Sequence, residues 1–429
     1  MRALLYADAM NPVFASEPGV TFNTARALVE QLDDPVVVTQ VRNRDAIDKV
    51  GMGGAEVIYL DTEYIARPIW KISKALRLNT ANLAAIKYPV QVAFERALWK
   101  RFGDDLRAGR FDILHRLGPI SSALPSPLTR WSPVPVVVGP VNGGLAYPPA
   151  FRDLIRREGE WLRHVRNAYK LLPYTTSTYR DAAAILAAFD HTIDTLPPGN
   201  DDRIFDFPEV GADPALFAST SEPDTGQKTR VEFFFAGRLV PFKCADVAIQ
   251  AFAESDILRQ HRLIIAGDGP ERAMLEGLVT QHDLGDCVTF LGWAEKHVVA
   301  EYMQSSDVFV FPSIRDAGAG VIVEAMMSGI ASVVVNYGPG QHLLDDASGV
   351  RVPLGSRDDH VAGFRAAMER LAQDPAACAR MGQAARARAI ERLSWDARAR
   401  HMIDIYAWVL GQRVDRPAGL MDQAGPVAT

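Results

Sequence analysis

Cysteine is scarce in this chain: Cys244, Cys287 and Cys378 are the three among 429 residues. Scattered this way, they make neither a disulfide framework nor metal-ligand spacing, and they point to a reduced, cytoplasmic protein. Long apolar runs are missing as well, since none reaches the ~18 residues that a bilayer-spanning helix needs. The opening MRALLYADAM reads as a strand rather than a signal peptide. No internal repeat of solenoid period occurs. Net charge is −6, and no nucleic-acid partner is expected.

What is present is a globular chain, 48% hydrophobic and long enough for two domains. In the first half, RALLYAD, PVVVTQ, AEVIYL, FDILHRL and VPVVVGPV read as strands. In the second, RVEFFFAGRL, HRLIIAGDG, CVTFLGW, DVFVFPS and ASVVVNYG do so. Helical patterns separate them, opening at 21–26 and covering 88–108 and 394–410, so the fold class is α/β with parallel sheets. A polar stretch at 221–227 reads as a linker. The expected domains are therefore 1–215 and 228–393, with a last helix over 394–412 and a loose tail. Doubly wound domains bind ligands outside the carboxyl ends of their strands.

Charge is uneven: residues 66–180 hold 19 basic and 7 acidic residues, a net of +12. Either these are solvated helix faces or this half meets something anionic.

Four motifs carry chemistry. In FFFAGRLVPFK, a strand ends at Gly237 and presents Arg238 and Lys243 on one loop, a pair suited to a diphosphate or else plain surface charge. In SIRDAGAGVIVE, Asp316 and Glu324 bracket a glycine-rich turn and the start of a helix. Two carboxylates so spaced can face one hydroxyl-rich ligand, and the helix N-terminus favours phosphate. SEPG places Gly19 at a strand-to-helix turn, where free N–H groups can take a phosphate or sugar oxygen or simply cap the helix. GPVNGG, with Asn142, Gly143 and Gly144, is either a close-approach loop or a tight turn. AGDGPER fails as a dinucleotide fingerprint, because Pro270 follows Gly269 and Arg272 stands where the third glycine belongs.

Taken in order, SEPG, GPVNGG, FAGRLVPFK, LIIAGDGPER, VTFLGW and FPSIRDAGAGVIVEAM resemble the retaining GT-B glycosyltransferases of the family 4, or group 1, type, over essentially residues 1–410. The resemblance implies two Rossmann-like doubly wound domains facing a central cleft. The N-terminal one would bind the acceptor and the C-terminal one the nucleotide sugar, with helix 394–412 crossing back to the N-terminal domain. It implies a hexosyltransferase using a UDP- or GDP-sugar as co-substrate, with no cofactor. The acceptor would be a glycan, a lipid-linked or a small molecule, in bacterial cell-surface or exopolysaccharide biosynthesis. By the same resemblance, Arg238 and Lys243 neutralise the donor diphosphate, Asp316 touches donor-sugar hydroxyls and Glu324 grips the ribose. The amides of Ala317, Gly318, Ala319 and Gly320 hold sugar and phosphate oxygens, Gly237 and Gly19 line the diphosphate, and Leu291, Gly292 and Trp293 meet the base. Asn142, Gly143 and Gly144 lie on the acceptor side.

Departures from the pattern are specific. Asp316 falls where glutamate is commonest, and Cys244 replaces the glycine that usually follows the lysine. His115 lies near the position of a histidine close to the reacting sugar, and it is either that group or a structural one. No Asp-x-Asp metal site stands out, so metal-independent transfer is expected, and the resemblance implies retention of anomeric configuration. Two segments read as basic amphipathic helices able to rest on an anionic membrane, or else as core-packed helices with solvated charges. They are 151–172, with Trp161, Leu162, Val165 and Tyr169, and the region of Trp70, Lys71, Lys74 and Arg77. The expected location is therefore the cytoplasm, at the inner face of the membrane if those helices touch it. Competing readings are a GT-B-like epimerase or phosphorylase, a dinucleotide oxidoreductase, and a non-catalytic partner subunit.

Overall fold

The computed structural model describes residues 1–14, 16–75, 84–151, 154, 169–217 and 230–421. The linker expected at 221–227, Arg77 and most of the 151–172 segment lie outside them. Two compact units divide the chain. One comprises Met1–Gly144, Trp161–Glu209 and Trp395–Thr429, and the other Leu145–Glu160 and Val210–Ser394.

The first unit is built on a seven-stranded parallel sheet. Its strands are β1 Ala3–Tyr6, β2 Val36–Gln40, β3 Glu56–Leu60, β4 Ile113–Arg116, β5 Val136–Val141, β6 Ala184–Ala187 and β7 Ile204–Asp206, in the order β3-β2-β1-β4-β5-β6-β7. The second carries a six-stranded parallel sheet of β8 Glu232–Ala236, β9 Arg262–Ala266, β10 Val288–Gly292, β11 Val308–Phe311, β12 Ala331–Val335 and β13 Val350–Val352, in the order β10-β9-β8-β11-β12-β13. Both sheets are doubly wound, as expected: the chain moves outward from β1, or β8, and then restarts on its other side with β4, or β11. Those two junctions are the topological switch points.

The central strands read as unbroken apolar runs because helices cover both faces. Phe233, Phe234 and Phe235 are all fully buried in β8, and each such side chain contributes about 2–3 kcal/mol of transfer free energy. Phe235 stacks on Phe311 at 6.3 Å and Phe311 on Phe309 at 5.7 Å, an aromatic layer across the switch point.

Three strands escaped the sequence reading: β6, β7 and β13. They are three or four residues long, too short to show a period, and β6 sits in an alanine-rich stretch that favours helix on propensity alone. The first helix also begins earlier than expected, at Glu17, because Pro18 in its first turn is preset for helical φ. The closing helix, Trp395–Val409, belongs to the first unit. There Arg398 is fully buried and donates to the carbonyls of Pro208 and Glu209, with its guanidinium 4.7 Å from the Phe207 ring. Desolvation lowers its pKa to about 9.

Candidate active site

The second unit's switch point gathers most of the charged residues singled out in the sequence. Arg238 leaves the sheet just beyond β8 and is exposed, without an ion-pair partner among the described residues. Backbone hydrogen bonds anchor the start of the loop carrying it. Gly237 N–H donates to the carbonyl of Ala266, Leu239 N–H to Asp268, and Glu271 N–H to Leu239. A Cβ on Gly267 would stand 1.9 Å from the Gly237 carbonyl oxygen, and one on Gly269 would stand 2.4 Å from that of Leu239. The AGDG run is thus a cradle for the Arg238 loop, which explains its glycines without any dinucleotide. Gly267 N–H in turn donates to the Gly292 carbonyl at 2.8 Å. The ends of β8, β9 and β10 are therefore pinned in sequence, and Trp293, 73% exposed, projects beyond them.

Beyond β11 the chain makes the Ser313–Ala319 turn and enters the Gly320–Ser328 helix. Asp316 is the hinge of this turn. Its carboxylate accepts from Ala319 N–H at 3.2 Å and is ion-paired with the Lys243 ammonium. Both side chains are mostly buried, so solvent screens this pair less than a surface bridge. The ammonium also lies 4.7 Å from the Phe311 ring, on the aromatic layer described above. Glu324, one turn into the helix, pairs with Lys296 at 3.1 Å, at the start of the helix that follows β10. Lys296 was not singled out in the sequence, since nothing in its local pattern marks it.

In the DAGAG turn the left-handed residue is Ala319, with φ 47°, while Gly320 is helical. Cys244 is left-handed too, φ 51°, at the point where the Arg238–Lys243 loop enters its helix. The substitution seen in the sequence thus falls where the backbone suits glycine.

In the first unit, the remaining candidates are engaged internally. Gly19 lies in the first helical turn rather than at a free strand-to-helix corner. Its N–H donates to Ser16, and a Cβ there would meet the Phe14 carbonyl oxygen at 1.8 Å. Asn142 donates to Glu209 at 2.6 Å and accepts from Thr192 at 3.1 Å, and Gly143 N–H also meets Thr192 at 3.1 Å. A Cβ on Gly144 would stand 2.5 Å from Thr195. His115 is fully buried on β4, with one ring nitrogen bonded to the Tyr406 hydroxyl and the other 2.7 Å from the Gly139 carbonyl. Burial lowers its pKa to about 3, and the Gly139 hydrogen bond opposes the shift only in part. It is a neutral packing group.

Residues 220–388 match the family model of glycosyl transferases group 1. Among curated proteins, the chain is 32% identical over 217 residues to a 2-deoxystreptamine glucosyltransferase of Streptomyces kanamyceticus. That match spans 49% of this chain and about half, 53%, of that enzyme. A D-inositol 3-phosphate glycosyltransferase of Arthrobacter sp. strain FB24 is 28% identical over 324 residues, 72% of this chain and 73% of that one. Among solved structures, a sucrose-phosphate synthase from Thermosynechococcus elongatus superposes with a TM-score of 0.67 at 17% identity, covering 96% of this chain and 100% of the other. Anabaena HepE, solved with UDP and glucose, gives 0.57 at 16% identity over 94% and 98%. At such identities these structures establish the fold, which is GT-B.

Proposed function

We propose that this chain, whose residues 220–388 match the group 1 glycosyltransferase model and whose fold is GT-B, transfers a sugar from a nucleoside-diphosphate donor to a hydroxyl-bearing acceptor. The observation that carries the reading is the gathering of Arg238, the Lys243–Asp316 pair and Glu324 at the strand ends of one switch point.

Glycosyl transfer breaks the bond between the anomeric carbon and the diphosphate, and negative charge grows on the leaving phosphate. Arg238 and Lys243 stabilise that charge as cations, and the N-terminus of helix Gly320–Ser328 adds a partial positive charge. Side chains supply the positive charge, so we assign metal-independent chemistry. Asp316 accepts from hydroxyls of the transferred sugar and Glu324 from the ribose, with Leu291–Trp293 against the base. The amides of Ala317–Gly320 serve the sugar and phosphate oxygens. Anomeric configuration is retained, the leaving diphosphate taking the acceptor's proton on the same face. His115 is left out of this assignment, being buried and paired on both nitrogens.

HepE was solved with UDP and glucose, which makes a UDP-sugar the first donor to try. The curated relatives are named for 2-deoxystreptamine and D-inositol 3-phosphate, both cyclic polyols, so such acceptors join lipid-linked and glycan acceptors in the panel. We also assign a peripheral membrane contact to helix Glu63–Ala75, where Tyr64, Trp70 and Ile72 are exposed beside Lys71 and Lys74. Cell-surface or exopolysaccharide synthesis is the setting that fits such an enzyme.

The test is calorimetric titration with UDP, GDP and their sugars, for wild type and Arg238→Ala. Wild type should bind one nucleoside diphosphate, with affinity unchanged by EDTA. Arg238→Ala should lose about tenfold or more, the usual worth of one charged hydrogen bond. Equal affinity in the two proteins would remove the assigned donor site.

A further inference from the structure

The first unit has a pocket beside its long helix Ala84–Arg107, lined among the described residues by Arg96, Trp99 and Trp131. Its volume is about 330 Å³, at the small end of the roughly 300–1,000 Å³ of small-molecule sites. Trp131 closes the short helix Leu128–Trp131 just ahead of β5, and Trp99 lies about two turns short of the end of its helix, which leads into β4. The pocket therefore belongs to the amino end of the parallel sheet. Doubly wound domains bind their usual ligands at the other end.

Three aromatic rings form one row here. Trp99 and Trp131 have centroids 6.1 Å apart and planes inclined by 52°, and Tyr174 meets Trp131 edge-on at 6.2 Å. Trp99 is held from its own helix. A Cβ on Gly103 would stand 3.3 Å from the indole, and the Arg107 guanidinium, paired with Asp104, lies 4.8 Å from the ring. Both tryptophans also pack on the first unit's core. All three rings are half-buried, whereas Trp70 is 61% exposed. A recessed platform suits a small ring laid against it, not a flat membrane.

The polar groups of the lining only donate. An indole offers one N–H and a guanidinium five, and neither accepts. Among the described residues neither indole N–H has a hydrogen-bond partner, and Arg96 has neither a hydrogen bond nor an ion pair. Lys100, one helical turn beyond Arg96, and Arg130, next to Trp131, are likewise exposed and make no ion pair among the described residues. A surplus of positive donors recognises an anion, and a guanidinium fork matches the paired oxygens of a carboxylate or phosphate. The negatively polarised faces of the rings attract the C–H groups of a saturated sugar ring.

We propose that this pocket is a second carbohydrate site, which takes an anionic sugar with its carboxylate or phosphate on Arg96 and its ring against Trp99 and Trp131. The ligand is an acidic or phosphorylated monosaccharide, free or as one unit of a charged glycan. The site stands apart from the assigned donor residues, and nothing in its chemistry depends on them.

The test separates the charge, the ring and the nucleotide. Glucuronate, glucose 6-phosphate, glucose and inorganic phosphate are titrated calorimetrically against wild type and Arg96→Ala, with and without saturating UDP. Each anionic sugar should bind wild type about tenfold or more tightly than glucose, which lacks the charge, and glucose 6-phosphate should exceed inorganic phosphate, which lacks the ring, by a similar factor. Arg96→Ala removes an exposed side chain that has no partner to lose, and it should bring both anionic sugars down to the level of glucose. UDP should leave all these affinities within twofold. Equal binding of glucose and glucuronate, equal binding of the two phosphates, or unchanged affinity in Arg96→Ala overturns the proposal. So does displacement of the sugars by UDP, or no binding of either anionic sugar at millimolar concentration. A wild type that binds the sugars but no nucleoside diphosphate removes the donor-site assignment and leaves this one standing.

Discussion

Cys244 and Ala319 share one backbone conformation, φ 51° and 47°, each as the residue from which a helix beside the switch point springs. Non-glycine residues held there cost about 1–2 kcal/mol each. The chain thus carries local strain at both loops that hold the assigned donor residues, and none at Gly318 or Gly320, which sequence inspection would have named first.

Exchanging the two residue types should therefore stabilise the protein. Ala319→Gly relieves the left-handed strain, and Gly320→Ala suits a helical position where an added Cβ meets Val210 at an ordinary 3.6 Å. Each change is expected to add about 0.5–1 kcal/mol, read from the urea midpoint at constant slope. A lower midpoint for Ala319→Gly would show that the surroundings need the methyl more than the backbone needs the glycine.

Asp316→Asn should separate binding from turnover. Neutralising the partner of Lys243 leaves that ammonium to the diphosphate, so UDP should bind as well as before or several-fold more tightly. The asparagine still caps the turn, because its side-chain oxygen accepts from Ala319 N–H. Sugar transfer should drop by about tenfold or more, since a neutral amide accepts a hydroxyl less strongly than a carboxylate. Weakened UDP binding would mean that the pair organises the site instead of neutralising itself within it.

Two buried histidines set a pH dependence. His115 and His360 have pKa values lowered by burial to about 3 and about 4, against about 6.5 in an unfolded chain. Below pH 6.5 the unfolded state therefore binds protons that the folded state refuses. Stability is full above that pH and falls as pH drops toward 4, by up to about 1.4 kcal/mol per unit for each histidine. Denaturation midpoints at pH 7.5, 6 and 5 should decline. His360→Phe, which keeps the packing against Phe151 and Phe364, should flatten the decline. A variant with the wild-type slope would clear His360 of the effect.

The membrane assignment predicts salt-sensitive binding. Vesicles with about a third anionic lipid should sediment the protein at low salt and release much of it at 0.5 M, since the attraction is screened within a Debye length. Trp70→Ala with Lys71→Glu and Lys74→Glu should bind poorly while keeping nucleotide affinity. Equal sedimentation of wild type and triple variant would place any contact elsewhere.

Much of the architecture was legible because parallel strands buried on both faces are written as apolar blocks: VFVF, ASVVV and EFFFA each became a strand with little change at its ends. The carboxyl-end motifs were legible for the same reason, since a loop's place follows from the strand before it. What stayed hidden was set by distant partners. His115 read as a candidate because a histidine ends a strand, and nothing local announced that Tyr406 and the Gly139 carbonyl would take both its nitrogens. Lys296 carries no motif and acquires its place beside Glu324 only through the fold. Gly19 was misplaced by a few residues, enough to turn a free corner into a packed helical turn.

The backbone-on-backbone cradle beneath Arg238 has a consequence for how variation spreads. With no side chain between the Gly267 and Gly237 segments, nothing soft is available to absorb an added methyl. A Gly267→Ala change must push the β8 loop outward, and Arg238 travels with it. A residue with no assigned part in binding would then score, in any survey of activity, as though it had one. The borders of this site are mechanical as well as chemical, and they extend at least one strand beyond the residues assigned to the donor.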